Sequence, residues 1–207
     1  MNTEPLVCIL DYGSGNVRSV MNILAAMNTK AVISNDPEIM HRASHLLLPG
    51  VGSFGSAMEK IKKNIPVGSL EEEVFKNKKP FLGICVGMQV LADIGREFGE
   101  HKGLGWIKGE VIQLESKDAP LPHIGWNVIK MKNNSPIISG LPAGTDMYFV
   151  HSFAFHPGDP DTIIAETNYG EDFPSIIGKE NIFGVQFHPE KSQEAGKLII
   201  RNFLNTK

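Results

Sequence analysis

The sequence has few cysteines, no long apolar run and no block of positive charge, and each scarcity excludes a class of protein. Two cysteines among 207 residues are too few for a disulfide-stapled fold. No run of about eighteen apolar residues is present to cross a bilayer, and the opening, MNTEPLVCIL, has too short an apolar part for a signal peptide. With a net charge of −3 and no lysine- and arginine-rich tract, nucleic acid is not an expected partner. We therefore expect a cytoplasmic protein that binds neither membranes nor nucleic acid.

The cysteines and histidines also give no sign of a metal or cofactor site. Cys8 lies in the apolar run LVCIL and is predicted to be a small core residue. No paired ligand spacing with cysteines or carboxylates occurs at His41, His45, His101, His123, His151 or His156. We expect neither a metal nor a cofactor.

Short apolar runs bounded by glycine, proline or asparagine alternate with stretches of helical spacing, which is typical of an α/β fold. The predicted strands are LVCIL at 6–10, HLLLPG at 45–50, PFLGIC at 80–85 and NIFGVQF at 181–187. The predicted helices cover 16–28, 55–63, 69–77, 87–95 and 193–204. Because several of these strands have the composition of strands buried on both faces, we expect an open, mostly parallel sheet with helices on both faces.

The middle of the chain, from about 104 to 178, is richer in proline, glycine and asparagine and predicts shorter strands joined by loops. We interpret it as an antiparallel or mixed extension of the sheet. No linker, repeat or low-complexity tract separates it from the rest. At 207 residues with 42% hydrophobic content, the chain is long enough for one sizeable core, and we expect a single domain over 1–207.

A glycine-flanked cysteine follows one of the predicted strands. The segment Gly83-Ile84-Cys85-Val86-Gly87 is the thiol counterpart of the G-x-S-x-G nucleophile elbow, in which a sharp strand-to-helix turn exposes the nucleophile. At a helix N-terminus, unpaired amides and the helix dipole favour a thiolate. A buried cysteine in an ordinary glycine-rich turn is the alternative interpretation of this segment alone.

A histidine and a carboxylate follow another predicted strand, in the segment GVQFHPEKS at 184–192. His188 stands at the carboxyl end of that strand, the edge where active sites of open α/β sheets form. A cysteine nucleophile needs a base, and the base needs a third group to orient it. His188 and Glu190, two residues apart on an extended chain, can supply both functions beside Cys85.

A third glycine-rich segment, PGVGSFG at 49–55, ends a strand at the same predicted edge. Glycines let the backbone approach a ligand and point amides at a developing oxyanion. The amides of Val51 and Gly52, together with that of Val86, are our candidates for an oxyanion hole. A plain strand-to-helix turn is the alternative.

The segments PGVGSFG, GICVGMQ and GVQFHPEKS together resemble the class I, or triad, glutamine amidotransferases, and the resemblance covers nearly the whole chain. The segments DYGSGNVRSV at 11–20, PHIGWN at 122–127 and YFVHS at 148–152 resemble one branch, the glutaminase subunits of imidazole glycerol phosphate synthases. The family resemblance implies a flavodoxin-like α/β sheet. It also implies a catalytic triad in which Cys85 is the nucleophile, His188 the base and Glu190 the orienting group.

The resemblance further implies that Gln89 and the backbones of Ser152 and Phe153 hold the substrate glutamine. Three positions depart from the residues common in the family: Val86 replaces Leu, Ile124 replaces Met and Phe153 replaces Tyr. None of these changes removes a reacting group, but Phe153 would alter a polar contact in the pocket.

Four residues lie in segments that mark the branch more than the class: Asp11, Asn16, Trp126 and Asn127. A lone tryptophan is more often a packed aromatic. In this family context we favour a role at a subunit interface, where tryptophan is enriched.

A partner chain is expected because no remaining stretch is long enough for a domain that would consume ammonia. Free ammonia in neutral water is mostly protonated and no longer nucleophilic, so useful transfer needs a closed path between sites. The resemblance implies a separate (β/α)₈ barrel cyclase in a heterodimer. That cyclase would convert phosphoribulosyl-formimino-aminoimidazole-carboxamide ribonucleotide into imidazole glycerol phosphate and aminoimidazole-carboxamide ribonucleotide, a step of histidine biosynthesis.

Three other functions stay open. Some relatives are similar to this branch but serve a synthase that builds amidino groups on surface sugars. A non-catalytic scaffold protein is a second possibility, against which the intact Cys85, His188 and Glu190 count. A cysteine peptidase is the third, and Gln89 with the branch segments argues against it.

Overall fold

A computed structural model describes residues 6–117 and 119–206 as a sheet of alternating strands and helices with a mixed extension. Its strands are β1 (Leu6–Ile9), β2 (Lys30–Ile33), β3 (His45–Gly50), β4 (Phe81–Cys85), β5 (Ile94–Gly95), β6 (His101–Lys102), β7 (Gly109–Gln113), β8 (His123–Val128), β9 (Lys130–Met131), β10 (Asp146–His151), β11 (Phe153–Pro157), β12 (Ile163–Tyr169), β13 (Glu171–Lys179) and β14 (Ile182–Val185). The helices are α1 (Val17–Ala26), α2 (Pro37–Arg42), α3 (Phe54–Asn64), α4 (Val67–Glu71), a π-helical turn at Glu72–Lys76, α5 (Val86–Gln89) and α6 (Gln193–Leu204).

The main sheet has the strand order β2-β1-β3-β4-β14-β13-β12-β9. Its first five strands run parallel, whereas β13, β12 and β9 continue it in antiparallel fashion. Two smaller sheets pair β10 with β8 and order β11-β7-β5-β6. The open, mostly parallel α/β sheet with a mixed extension, predicted from the sequence, is confirmed.

The burial of each strand follows from its composition. Every residue of β3, β4 and β14 is buried, as expected for apolar central strands covered on both faces. The edge strand β2 has no buried residue. Helix α1 turns Val20, Ile23 and Leu24 toward the sheet, the i, i+3, i+4 spacing that makes one apolar helical face.

The predicted helix over 87–95 is wrong in its second half. Helix α5 ends at Gln89, and the chain enters turns before the short strand β5. The carbonyls of residues 90–93 accept hydrogen bonds from the amides of Leu104, Ile107, Gly105 and Gly103, in that order, at 2.8–3.1 Å. These tertiary bonds satisfy the carbonyls that a longer helix would have used, which is why the apolar run 90–92 is buried without remaining helical.

Three parallel strands bring their carboxyl ends to one edge of the sheet. Gly50 at the end of β3 pairs with Cys85 at the end of β4, and Val185 at the end of β14 pairs with Ile84. The segments that follow these strands therefore converge, as the carboxyl edge of an open α/β sheet requires.

Candidate active site

Cys85 occupies a tight strand-to-helix turn that only its glycine neighbours permit. Its φ is +55° and ψ −113°, a conformation that costs a non-glycine residue on the order of 1–3 kcal/mol. A Cβ on Gly83 would lie 2.3 Å from the Gly87 carbonyl oxygen, and one on Gly87 would lie 1.8 Å from that of Leu48. The packing thus excludes side chains at both positions. It holds Cys85 at the N-terminus of α5.

His188 and Glu190 form a buried pair next to the cysteine. His188 Nδ1 lies 2.9 Å from Glu190 Oε1, and their side chains are 5% and 1% exposed. Cys85 and His188 line the same cavity, and Cys85 is one of the groups that raise the pKa of His188. The structure therefore brings together the sulfur, the imidazole and the carboxylate that the sequence predicts at this edge.

The backbone of His188 is held by strand β10. Its amide donates to the Tyr148 carbonyl at 2.9 Å. Ser192 Oγ donates to the His188 carbonyl at 2.7 Å and accepts from the Tyr148 amide at 3.0 Å. The position of the imidazole is thus tied directly to β10.

The electrostatics of the triad favour an ion pair. Burial by itself lowers the pKa of His188, but hydrogen bonds and charge interactions with Cys85 and Glu190 outweigh it and raise that pKa to about 10. For Glu190, burial opposes ionisation, yet the hydrogen bond and charge of His188 lower the net pKa. The site therefore favours a positively charged imidazole that is paired with the Glu190 carboxylate.

Asn16 lies behind the triad, although its sequence segment predicts a place at an interface. Its Nδ2 donates to Glu190 Oε1 at 3.0 Å, and Ser19 Oγ donates to Asn16 Oδ1 at 2.6 Å. The side chain of Asn16 thus contacts a carboxylate 174 residues away in the sequence. This contact holds the carboxylate that the sequence predicts to orient His188, and the interface role of Asn16 stays a prediction.

A cavity of about 260 Å³ opens beside Cys85. All the predicted oxyanion and substrate residues line it, together with Cys85 and His188: Val51, Gly52, Val86, Gln89, Ser152 and Phe153. The cavity also contains two charged side chains that the sequence reasoning missed, Glu97 and Lys191. Its volume suits a ligand of amino-acid size.

Gln89 is fixed by two acceptors on the wall of this cavity. Its Nε2 donates to the Phe153 carbonyl at 2.9 Å and to Gln186 Oε1 at 3.0 Å. Gln186 Nε2 in turn lies 3.7 Å from Cys85 Sγ. The amide of Gln89 is therefore held in one orientation, with Phe153 and Gln186 as its supports.

The glycine-rich loop after β3 holds one of the predicted oxyanion donors away from the cavity. The Val51 amide donates to the Ser14 carbonyl at 3.2 Å. Gly52 has a φ of +95°, with no atom within 4 Å of the position that a Cβ would take. In this conformation the Val51 amide is already engaged, and glycine at position 52 lets the backbone reorient at little steric cost.

Two further histidines are buried near the cavity. His123 on β8 and His151 on β10 are 3% and 6% exposed, and His123 Nδ1 lies 3.1 Å from His151 Nε2. Burial lowers the pKa of His123 to about 4 and that of His151 to about 3. Both imidazoles are therefore neutral at neutral pH.

These neutral histidines predict a loss of stability in mild acid. In the unfolded chain each imidazole has a pKa near 6.5, so between pH 7 and pH 5 the unfolded state gains protons that the folded state does not bind. We expect His123→Gln, which removes one such group, to lose less stability over that interval than the wild type, by about 2 kcal/mol. Urea unfolding at pH 7 and pH 5 measures the difference. Equal losses in the two proteins would mean that His123 is not held neutral by the fold.

The outer face of β8 and β10 is apolar and exposed. Ile124, Trp126 and Val128 on β8 are 60%, 47% and 38% exposed. Trp126 pairs with Tyr148 across the two strands, with ring centroids 5.9 Å apart. Trp126 thus lies on an exposed apolar face, as an interface requires.

The other predicted interface residues lie elsewhere. Asn127 points to the opposite face of β8, where its Nδ2 lies 3.3 Å from His123 Nε2. Asp11 caps a turn by accepting from the Gly13 amide at 2.8 Å. The structure therefore groups neither Asn127 nor Asp11 with Trp126, and their interface roles stay predictions.

Two other kinds of site are not found in the part of the chain that the structure describes. Residues 6–117 and 119–206 contain no cluster of three or more histidine, cysteine or acidic side chains that would hold a metal ion. Within the same ranges, no helix is both long and apolar enough to span a bilayer.

Comparison with known proteins gives consistent results over nearly the full chain. A family model described as glutamine amidotransferase class-I matches residues 8–206. The imidazole glycerol phosphate synthase subunit HisH of Zymomonas mobilis is 46% identical over 206 residues, which cover 96% of this chain and 95% of that protein. The protein of the same name from Aquifex aeolicus is 45% identical and covers 94% of each chain.

Solved structures of lower identity share the fold. The structure described as PurLQS from Thermotoga maritima has a TM-score of 0.75 at 20% identity and covers 98% of this chain and 99% of that one. A glutamine amidotransferase from the same organism has a TM-score of 0.66 at 17% identity, covering 98% of this chain and 83% of that one. At these identities the likeness concerns the fold alone.

Proposed function

The chain belongs to the class I glutamine amidotransferases, and from this premise we propose that it is the glutaminase subunit of an imidazole glycerol phosphate synthase. The observation that carries the proposal is the buried array of Cys85, His188 and Glu190 at a cavity of amino-acid size. The similarity to subunits named for that synthase supports the choice of pathway.

In the proposed reaction, Cys85 Sγ attacks the side-chain carboxamide carbon of glutamine. His188 protonates the leaving nitrogen, so that the C–N bond breaks, ammonia departs and a thioester to Cys85 remains. His188 then accepts a proton from water, which attacks the thioester and releases glutamate and the thiol. Glu190 keeps the imidazole oriented through its 2.9 Å bond to Nδ1. The sum is glutamine and water converted to glutamate and ammonia.

The charged side chains of the cavity match the other end of the substrate. Glutamine carries an ammonium and a carboxylate at its α-carbon, and Glu97 and Lys191 line the cavity with the opposite charges. Glu97 is held in place because one of its oxygens accepts from the Phe54 amide at 2.8 Å. We assign Glu97 to the α-ammonium, with Gln89 and the backbones of Ser152 and Phe153 completing the pocket.

The proposed partner is a separate (β/α)₈ cyclase that docks on the exposed apolar face of β8 and β10. Strand β10 also contacts the active site: the Tyr148 carbonyl accepts from the His188 amide, and Cys85 Sγ lies 3.9 Å from the Val150 carbonyl. Ammonia released beside Cys85 would therefore leave close to the docked cyclase. Trp126, nearly half exposed at 47%, is the proposed anchor of the contact.

Reconstitution tests the proposed pathway. The chain is mixed with the cyclase or with the synthase of the sugar-amidino pathway, and product formation from glutamine is measured in each mixture. We expect imidazole glycerol phosphate with the cyclase. Glutamine-dependent product with the sugar-modifying synthase alone would assign the chain to that paralogous pathway, and no glutamate release with either would favour a scaffold role.

We further expect the isolated chain to be a poor glutaminase that its partner activates. The Val51 amide is bound to the Ser14 carbonyl, so the oxyanion would lack one donor until the loop turns. One missing donor costs about 2.7–4 kcal/mol, or roughly a hundredfold to a thousandfold in rate. Docking must favour the reoriented loop over the present one to produce this gain.

Glutamate release by the chain alone, with the cyclase, and with the cyclase plus its nucleotide substrate measures the activation. Trp126→Ala is the matched control: its rate alone should equal that of the wild type, whereas its response to the cyclase should be weaker. Equal turnover of the wild type in all three conditions would contradict the proposal that the loop conformation limits the isolated chain.

A further inference from the structure

Four hydrogen-bonded groups form a line from strand β8 to the wall of the cavity. Two of these groups are the buried histidines. Asn127 Nδ2 lies 3.3 Å from His123 Nε2. His123 Nδ1 lies 3.1 Å from His151 Nε2. His151 Nδ1 lies 2.9 Å from the Phe153 carbonyl. The proposed reaction uses none of these side chains.

The direction of every bond in this line follows from its two ends. A carbonyl only accepts, so His151 Nδ1 must carry a proton, and in a neutral ring Nε2 is then a bare acceptor. His123 must therefore donate from Nδ1, which leaves its own Nε2 to accept from Asn127. The Asn127 orientation is fixed independently, because its Oδ1 accepts from the Val128 amide at 2.8 Å and its Nδ2 also donates to the Asn168 carbonyl at 2.9 Å.

Aromatic packing prevents the two rings from turning. His123 stacks on Tyr169 with centroids 4.0 Å apart and on Phe149 at 4.9 Å. His151 meets the edge of Phe173 at 4.8 Å. A ring flip would break two hydrogen bonds in a buried site, where an unmade bond costs its full desolvation penalty. The line is thus a rigid element with one allowed pattern of protons.

The line ends at the Phe153 carbonyl, in the wall of the proposed substrate pocket. The Phe153 carbonyl accepts from His151 and also from Gln89 Nε2 at 2.9 Å. Phe153 and Gln89 both line the cavity beside Cys85. The peptide group at Phe153 is therefore fixed from two sides, by the residue predicted to bind glutamine and by the histidine line.

We propose that His123 is a positioning residue for glutamine binding: it fixes the tautomer of His151 and, through it, the backbone at Phe153 and the amide of Gln89. This inference rests on the proposed glutaminase function and adds a residue to it. Asn127, which is next to the exposed Trp126 on β8, sets the tautomer of His123 by donating to its Nε2.

Two substitutions of His123 separate positioning from packing. Asparagine places an amide nitrogen near the site of the imidazole Nδ1, so His123→Asn keeps a donor for His151. Glutamine places its amide near the site of Nε2, so His123→Gln leaves His151 Nε2 without a donor. Both variants lose the imidazole ring that stacks on Tyr169 and Phe149, which makes them a matched pair.

Steady-state glutamate release by the complete complex with the cyclase gives the KM and kcat of each variant. We expect His123→Gln to raise the KM for glutamine about tenfold, as an unpaired buried acceptor should, with kcat changed less than about twofold. His123→Asn should retain a KM within about threefold of the wild type. Nitrogen-15 spectra of the full wild-type chain should also show both His123 and His151 protonated on Nδ1.

The opposite results overturn the inference. An equal rise of KM in both variants would assign the effect to packing, and an unchanged KM in His123→Gln would leave His123 without a positioning role. Protonation of His123 on Nε2 instead of Nδ1 would contradict the proposed directions of these hydrogen bonds. Failure of the proposed function looks different, because the wild-type complex would then release no glutamate at all.

Discussion

Replacing Cys85 with alanine is expected to abolish glutamine hydrolysis while leaving the fold intact. Removing the nucleophile of a triad enzyme costs roughly 10⁴- to 10⁶-fold in rate, because the triad acts as a unit. The sulfur has long hydrogen-bonding contacts, 3.7 Å to Gln186 Nε2 and 3.9 Å to the Val150 carbonyl oxygen. Loss of the sulfur therefore removes the proposed nucleophile and disturbs little packing. Glutamate release and thermal unfolding of Cys85→Ala measure the two effects.

Cys8→Ala is the matched control, because it changes the other cysteine of the chain. Cys8 is fully buried in β1, and burial raises the pKa of its thiol to about 11, so it is expected to be inert. Glutaminase activity should survive in Cys8→Ala. Cyclisation driven by added ammonium salt should survive in both variants, because the acceptor site is proposed to lie on the partner. Near wild-type glutamate release by Cys85→Ala would exclude Cys85 as the nucleophile.

The parts of this site that the sequence predicts are those encoded within a single strand and the turn after it. Strands β3, β4 and β14 are apolar apart from His45 at the start of β3. Their positions therefore follow from the pattern, and parallel pairing brings their carboxyl ends together. Cys85 ends β4, the 49–55 segment begins with the last two residues of β3, and His188 lies three residues beyond the end of β14 at Val185. Their convergence is therefore a consequence of local sequence and one rule of topology.

The contacts that support the site could not be predicted because the partners are distant in the chain. Asn16 meets Glu190 across 174 residues, and Gln89 meets Gln186 across 97. Glu97 lies in a turn between the two-residue strands β5 and β6, where no motif marks it. Such contacts depend on how the sheets pack against one another, and periodicity within a segment carries no information about that.

The same limit explains why the helix after Cys85 is shorter than its sequence predicts. The run 86–92 is apolar except for Gln89, and its Met, Gln, Leu and Ala residues favour helix. The carbonyls of residues 90–93 instead bind amides from 103–107, so tertiary hydrogen bonds override the local preference. The early end of α5 also leaves room for Asp93, whose carboxylate accepts from the Gly109 amide at 3.0 Å.

His188→Asn should reduce glutamine hydrolysis by several orders of magnitude, comparably to loss of the nucleophile. The choice of asparagine matters, because its amide nitrogen lies near the position of Nδ1 and preserves a donor for Glu190 Oε1. The change therefore removes the imidazole that interacts with Cys85 but keeps a donor for Glu190. Glu190→Gln should cost roughly a hundredfold less than His188→Asn, since the orienting member of a triad is the least critical.

Alkylation of Cys85 by iodoacetamide separates the role of His188 in activating the sulfur from its later role as a proton donor. In the wild type, His188 has a pKa raised to about 10 and stays positively charged at neutral pH beside the sulfur, which stabilises the thiolate that the reagent attacks. Alkylation should therefore slow in His188→Asn, and slow less in Glu190→Gln, where the imidazole remains. If thiol reactivity fell while turnover stayed near the wild type, His188 would be an electrostatic neighbour and another group would have to protonate the leaving ammonia. If neither quantity changed, His188 would have no part in the reaction, and the contact between Asn16 and Glu190 would lose its proposed purpose.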